Sequence, residues 1–225
     1  MIVQIYGIVT EKDAVSCVKA GVDHIGLVLF DSIKKDHIDI ETAKKIVLAI
    51  DGRAKITAIF DLKPISEDEL IEAATEIGCD IIHLAGSVVT NKEFFAKVKK
   101  RLPNVGIMQA VGVVDQSSVD YAINLSDYSD MLLLDTVKKG SEGQGIGAAG
   151  TVHDWNISRK IVEAVSVPVI LAGGLGPDNV ADAIRKVRPY GVDSLTKTNI
   201  EIDGKFVSKD IHKVKEFCRI AHQNL

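Results

Sequence analysis

The sequence lacks long apolar runs, an excess of positive charge and an even set of cysteines, and each absence excludes a class of protein. No stretch approaches the roughly 18 apolar residues that a membrane-spanning helix needs, and the N-terminus lacks a basic region followed by an apolar run. The net charge of −4 gives no basic field for nucleic acid or anionic lipid. Three widely spaced cysteines argue against a disulfide framework and for a reducing compartment. We therefore expect a cytoplasmic protein with neither a nucleic-acid nor a membrane partner.

Several common site motifs are missing as well. No cluster of His, Cys and Asp has metal-ligand spacing, no Ser-His-Asp order stands out, and no Gly-x-Gly-x-x-Gly follows the first apolar run. No composition shift, low-complexity segment or proline-rich linker interrupts the 225 residues. The sequence therefore predicts one domain, residues 1–225, without a metal site.

What the sequence does contain is a short apolar run followed by a helical pattern, eight times over. The first run is Ile2 to Ile5 and the last is Val192 to Leu195, with a helix predicted from Lys209 to Ala221 after it. Runs that are apolar throughout are typical of parallel strands buried on both faces. Eight such units at a period of roughly 27 residues predict an α/β fold, the closed (β/α)8 barrel. An open doubly wound sheet is the alternative.

The seventh unit contains the most informative turn. A predicted strand over 167–171 ends in Gly173 and Gly174, and a helical pattern follows. Adjacent glycines let the backbone approach a ligand closely, and the amides they expose favour an anion. Thr196 and Lys197 follow the eighth strand, and the loops after strands seven and eight of such barrels jointly bind phosphate. These four residues are the predicted phosphate site, with a ligand-free turn and a solvated lysine as the alternatives.

Chemistry in a barrel takes place at the carboxyl ends of the strands, which makes four polar residues candidates. Tyr6 faces the barrel mouth if Ile5 packs against helices, and His83 lies at the end of strand four. Asp135 follows four apolar residues directly, which suits either a catalytic carboxylate or a cap for the next loop. His83 is also compatible with a hydrogen-bonded core imidazole, and Asp61 with the start of a turn. The long glycine-rich loop over 136–154 is of a kind that is usually functional or disordered.

Four segments resemble signatures of phosphoribosylanthranilate isomerase, an enzyme of tryptophan synthesis. They are VQIYGIVTEKDA with AGVDHIGLVLF near the start, LLLDT at 132–136, GAAGTVHDW at 147–155, and LAGGLGPDNVADAI at 171–184 with GVDSLT after it. The resemblance implies a cofactor-free Amadori rearrangement, in which a phosphorylated ribosylamine becomes a 1-deoxyribulose. A general acid opens the sugar ring and a base then moves the C2 proton. The implied partner is a phosphorylated small molecule, and the oligomeric state is left open.

The resemblance also assigns roles to single positions. Asp135 matches the general acid of the family, Gly173 and Gly174 match its phosphate-binding turn, and Gly150 matches the last glycine of its strand-six loop. Gln4 and Tyr6 stand where the family has the lysine and the catalytic cysteine of Lys-Ile-Cys-Gly. A phenol with a pKa near 10 is roughly thirtyfold less ionised at pH 7 than a thiol near 8.5.

Three further positions depart from the family pattern. The arginine expected near Lys34 to Asp36 is absent, His83 and Ala85 replace a glutamine and a histidine, and Thr196-Lys197 replaces Ser-Gly. The base is accordingly left open among Tyr6, His83 and Asp61. Two other functions remain alternatives: a related barrel enzyme acting on another phosphosugar, and a catalytically silent barrel that binds phosphate ligands.

Overall fold

The computed structural model describes residues 1–29, 37–60, 66–85, 89–137 and 152–223. Its eight parallel strands form a closed barrel in which each strand pairs with the next along the chain and β8 pairs with β1. The strands are β1 (Ile2–Ile5), β2 (His24–Leu29), β3 (Lys55–Phe60), β4 (Ile81–Leu84), β5 (Gly106–Val113), β6 (Met131–Thr136), β7 (Val169–Leu171) and β8 (Gly191–Ser194). The prediction of a (β/α)8 barrel is confirmed.

A helix follows each strand of the barrel along the chain. The helices are α1 (Glu11–Lys19), α2 (Ile40–Ile50), α3 (Glu67–Ile77), α4 (Lys92–Arg101), α5 (Ser117–Ser126), α6 (Trp155–Ala164), α7 (Val180–Val187) and α8 (Ile211–Gln223). The predicted capping box at the start of α3 is present, with Ser66 and Glu69 each accepting the other's backbone N–H. Within the described ranges, no helix has the length and apolar character needed to cross a membrane.

Side-chain alternation along each strand divides the apolar residues between two cores. Val3 and Ile5 of β1 point outward into the large core under the helices, whereas Gln4 and Tyr6 point into the barrel. The barrel interior holds a smaller cluster of Tyr6, Val28, Ile81, Met108, Leu133, Ile170 and Ala172. Because the strands are covered on both sides, β1 to β7 consist mostly of apolar residues, as the sequence predicts, whereas β8 carries Asp193 and Ser194.

Three aspartates at the amino-terminal end of the barrel join neighbouring strands. Asp23, Asp80 and Asp130 each precede an even-numbered strand, and each accepts the N–H of the second residue of the strand before it. The N···O distances are 2.8, 2.7 and 2.6 Å. These bonds satisfy backbone donors at the strand starts and fix the register of the pairs β1–β2, β3–β4 and β5–β6.

The region between β8 and α8 differs from the prediction. A short 3₁₀ turn, Thr196–Thr198, leads into an antiparallel hairpin of β9 (Asn199–Ile202) and β10 (Lys205–Lys209). Asp203 and Gly204 form its turn, both with positive φ, as a two-residue hairpin loop requires. The last helix therefore begins at Ile211 and not at Lys209, because Lys209 belongs to the hairpin.

Candidate active site

Two carboxylates flank the end of β7 at the mouth of the barrel. Leu171 pairs with Leu134 of β6 and with Val192 of β8, so the next residues, Asp135, Ala172 and Asp193, lie side by side. With strands about 4.8 Å apart, the Cα atoms of Asp135 and Asp193 are about 10 Å from each other. The side chain between them on β7 is the methyl group of Ala172.

Asp135 is held beside the glycine turn that follows β7. Its Oδ1 accepts the backbone N–H of Thr136 at 2.6 Å and lies 3.3 Å from the point where a Cβ on Gly173 would stand. A Cβ there would also come within 2.5 Å of the Thr136 hydroxyl, and Gly173 has a φ of +86°. Glycine is therefore required at position 173 for two reasons, backbone conformation and close approach.

His153 anchors the chain after the strand-six loop to the same place. Its Nδ1 is 3.1 Å from the Thr136 hydroxyl and its Nε2 is 2.7 Å from the Ser158 hydroxyl. Burial lowers the pKa of His153 to about 4, so the ring is neutral at pH 7. The imidazole thus ties α6 to the end of β6 next to Asp135.

Side-chain hydrogen bonds make the glycine turn after β7 rigid. Asn179 accepts the Gly176 N–H at 2.9 Å and donates to the Gly174 carbonyl at 3.0 Å. The Ser194 hydroxyl donates to the Leu175 carbonyl at 2.7 Å, which joins the turn to β8. A turn fixed in this way presents its amides to a ligand without further ordering.

The cation predicted for this turn lies against it. The exposed Lys197 packs its stem over Gly176, where a Cβ would stand only 2.9 Å from the lysine Cβ, and Thr196 precedes it on the same short 3₁₀ turn. The residues predicted to bind phosphate are therefore neighbours around the end of β7. Gly150, the remaining predicted member, lies outside the described residues.

Tyr6 and His83 form a buried pair across the barrel interior. The Tyr6 hydroxyl is 2.6 Å from His83 Nδ1, and the phenol ring lies over Gly26, where a Cβ would come within 2.2 Å of the ring. Burial raises the pKa of Tyr6 well above 10 and lowers the pKa of His83 to about 3. Both groups are consequently neutral at pH 7, and neither the phenolate nor the imidazolium is available there.

A second polar group occupies the interior beside this pair. Gln4 donates to Asp193 Oδ1 at 3.1 Å, while its own carbonyl accepts the Thr57 hydroxyl at 3.2 Å and lies 3.4 Å from His24 Nδ1. Burial raises the pKa of Asp193 to about 8, against the hydrogen bond from Gln4, and the charge of Asp135 adds to the rise. Asp193 therefore changes its charge near neutral pH.

Sequence reasoning overlooked Asp193. The residue stands inside the segment GVDSLT, between Val192 and Ser194, in the predicted eighth strand. The available signal was the period of two along β8, which places a carboxylate at an inward position between Gly191 and Leu195. Of the other candidates, Asp61 and residues 34–36 lie outside the described residues. Within the described residues, no group of three or more His, Cys, Asp or Glu side chains could hold a metal ion.

Comparisons with known proteins agree with this architecture. A family profile described as N-(5'-phosphoribosyl)anthranilate (PRA) isomerase matches residues 3–219. The chain is 32% identical to N-(5'-phosphoribosyl)anthranilate isomerase of Methanocella arvoryzae, covering 96% of this chain and 95% of that protein. It is 33% identical to N-(5'-phosphoribosyl)anthranilate isomerase 2 of Methanosarcina mazei, covering 100% and 99%.

A solved structure gives the same result in three dimensions. It is phosphoribosyl anthranilate isomerase in complex with reduced 1-(o-carboxyphenylamino)-1-deoxyribulose 5-phosphate. The two folds superpose with a TM-score of 0.79 at 26% identity, covering 99% of this chain and 100% of that chain. The similarity therefore extends over nearly the whole chain.

Proposed function

The chain belongs to the N-(5'-phosphoribosyl)anthranilate isomerase family, and we propose that it isomerises phosphoribosylanthranilate in tryptophan biosynthesis. The observation that carries the proposal is the arrangement around β7, where Asp135 stands 3.3 Å from the Cβ position of the glycine in the anion-binding turn. Buried free thiols at Cys17, Cys79 and Cys218 suit a reducing compartment, which supports the cytoplasm as the site of action.

The substrate phosphate binds at the end of β7. Amides of Gly173 and Gly174 supply hydrogen bonds to its oxygens, and Lys197 supplies a positive charge from the neighbouring turn. Thr196 adds a hydroxyl donor. This anchor supports the proposal because it holds the rest of the substrate over the barrel mouth. The entropy of the substrate is then lost on binding and not in the reaction step, and the reacting atoms are already oriented.

Asp135 acts as the general acid. It protonates the ring oxygen of the ribosylamine as the bond between that oxygen and C1 breaks, while the anthranilate nitrogen donates its lone pair to C1. Support comes from its place one strand away from the proposed phosphate anchor, with its Oδ1 3.3 Å from the Cβ position of Gly173. A positioned acid contributes about 10² to 10⁴ in rate.

Tyr6 and His83 form a neutral floor below the sugar in this proposal. The sequence suggested a proton-transfer role for both, but burial opposes the charged form of each group. What they retain is a short hydrogen bond that holds the phenol ring over Gly26 and closes the barrel beneath the mouth.

Turnover of phosphoribosylanthranilate, followed by the loss of anthranilate fluorescence, tests the function. We expect the wild type to turn over and Asp135→Asn to lose at least about 10²-fold in kcat while KM changes only a few-fold. Asp127→Asn, at an exposed position after α5, is the matched control and keeps full activity. Binding of the substrate without turnover by the wild type would overturn the proposal in favour of a silent phosphate-binding barrel.

A further inference from the structure

We propose that Asp193 is the general base of this site and removes the C2 proton after Asp135 has opened the ring. The inference rests on the proposed function and assigns the one proton transfer that the family pattern leaves without a residue here, since Tyr6 occupies the position of the catalytic cysteine. It makes a side chain of β8 a catalytic residue.

The position of Asp193 suits this role. Its register places it level with Asp135 across Ala172, so the two carboxyl groups stand on either side of the strand that carries the phosphate turn. The neighbouring Ser194 donates to the Leu175 carbonyl, which fixes the distance between Asp193 and that turn. A ribose anchored there by its phosphate lies between an acid on β6 and a base on β8.

Gln4 orients the carboxylate. Its amide nitrogen donates to Asp193 Oδ1 at 3.1 Å, and its carbonyl is occupied by Thr57, so the amide has one favourable orientation. Among the described residues, the single hydrogen bond to Asp193 comes from Gln4 and uses one carboxylate oxygen. The other oxygen remains for the substrate, and the residue is 6% exposed.

The charges facing Asp193 tune its basicity. Tyr6 after β1 is neutral, Asp135 on β6 disfavours a second negative charge, and Lys209 on β10, whose ammonium donates to the Leu195 carbonyl, partly offsets this. Burial remains the largest influence and raises the pKa of Asp193 to about 8. A base is most effective when its pKa lies near the working pH, because it is then ionised in part and still strongly basic.

The proton transfers balance without any further reactant. Ring opening moves the Asp135 proton to the ring oxygen and leaves an iminium between C1 and nitrogen. Asp193 carboxylate takes the C2 proton, and the C2–H electron pair forms the C1–C2 double bond while the iminium electrons return to nitrogen. The C2 hydroxyl proton then passes to Asp135 and C1 takes the proton from Asp193, which gives the ketone and restores both side chains.

The first test measures kcat as a function of pH for the wild type and for Asp193→Asn. We expect kcat of the wild type to fall as the pH rises through about 8, because Asp135 and Asp193 then lose the one proton that the pair holds, and Asp193→Asn to lose at least about 10²-fold with a melting temperature no lower than that of the wild type. Asparagine preserves the acceptor for Gln4, so the fold is retained. An Asp193→Asn variant that keeps the wild-type kcat and its loss above pH 8 would overturn the inference.

Gln4→Lys is the second variant. It is expected to shift the pH profile of kcat, which a purely structural role of Asp193 would leave in place. An ammonium beside Asp193 lowers the pKa of the carboxyl, so the falling limb of kcat shifts to lower pH by at least one unit. Gln4→Met, which has a similar size and no charge, leaves the limb at or above its wild-type position. An unshifted limb in Gln4→Lys contradicts the assignment.

The outcomes separate the two proposals. If the wild type and Asp193→Asn turn over equally, the base assignment fails and the isomerase function stands. If the wild type gives no turnover, the function fails and the base assignment fails with it. Turnover by the wild type, the loss of kcat in Asp193→Asn and the shifted pH profile of Gln4→Lys together support both proposals.

Discussion

Tyr6 fits the barrel interior because residue 26 is a glycine. The phenol ring occupies the space that a side chain on β2 would fill, and a Cβ at position 26 would stand 2.2 Å from Cδ1 of the ring. The pair is thus one packing unit contributed by neighbouring strands. A bulkier residue at either position would have to displace the other, since protein interiors contain little free volume.

Gly26→Ala tests this complementarity through a double-mutant cycle with Tyr6→Ala. We expect Gly26→Ala to reduce the free energy of unfolding by about 1–3 kcal/mol in the wild type, because the added methyl overpacks the interior. In the Tyr6→Ala background the same change costs less than about 0.5 kcal/mol, since the ring is gone. Urea denaturation of the four proteins measures the coupling.

Gly106→Ala is the matched control for this cycle. It lies at the start of β5, and the nearest atom to an added Cβ is 3.6 Å away, an ordinary contact distance. We expect a change within about 1 kcal/mol that is independent of Tyr6. Equal losses at positions 26 and 106 would contradict the packing account.

At the scale of elements, the barrel depends on the aspartates that precede even-numbered strands. Asp80 Oδ2 accepts the N–H of Ile56 at 2.7 Å and so joins the start of β4 to β3. Without the carboxylate, that backbone donor loses its acceptor at a partly buried position. The loss of stability is expected in the pairing of β3 with β4, because this hydrogen bond fixes the register of the two strands and not the packing of one side chain.

Asp80→Ala is therefore expected to lower the free energy of unfolding by about 1–3 kcal/mol. Asp127→Ala, a carboxylate on the exposed end of α5, serves as the control and stays within about 0.5 kcal/mol of the wild type. Hydrogen exchange of the Ile56 amide reports the lost bond directly. Unchanged protection of that amide in Asp80→Ala would rule out the proposed link.

The whole molecule carries buried ionisable groups that limit its stability from both sides of neutral pH. Burial lowers the pKa of His24 and His153 to about 4 and that of His83 to about 3, from an ordinary 6.5. The three imidazoles bind protons more readily in the unfolded chain than in the folded protein. Their contribution to the free energy of unfolding is therefore fully present above pH 6.5 and is lost as the pH falls toward 4. Asp193 has the opposite effect on the pH dependence of stability, since its pKa of about 8 in the folded protein lies above its value in the unfolded chain.

Folding stability is accordingly expected to be greatest between about pH 6 and 7. Asp193 stabilises the protein below the unfolded carboxyl pKa and loses that contribution as the pH rises to 8, at up to about 1.4 kcal/mol per pH unit. Below pH 6 the three histidines outweigh this single group. Urea midpoints measured at pH 5, 6.5 and 8 locate the maximum.

Asp193→Asn isolates the alkaline side of this profile. The variant should lose most of the decline between pH 7 and 8 and keep the decline below pH 6, because its histidines are unchanged. A wild-type decline that persists in Asp193→Asn would assign the alkaline loss to other groups.

The sequence by itself determined the α/β class and favoured a closed barrel over an open doubly wound sheet. Eight apolar runs with helical patterns between them can be buried only as parallel strands covered on both faces, and local signals such as the Ser66 capping box already indicate where helices begin. The hairpin after β8 was missed although its Asp203-Gly204 turn was visible, because the helical pattern beyond it was extended back to Lys209. Asp135 and the glycine turn could also be found, since each follows an apolar run directly.

Only the tertiary structure decided what surrounds these residues. Strand register, which is set by hydrogen bonds between distant segments, placed Asp193 level with Asp135 and brought Gln4 against it. Closure of the barrel buried Tyr6 and His83 against each other, and this burial disfavours the phenolate and the imidazolium. Burial of Asp193 and its contact with Gln4, 189 residues away along the chain, have no local sequence signal, so the environment that makes the carboxylate basic forms only once the strands close into a barrel.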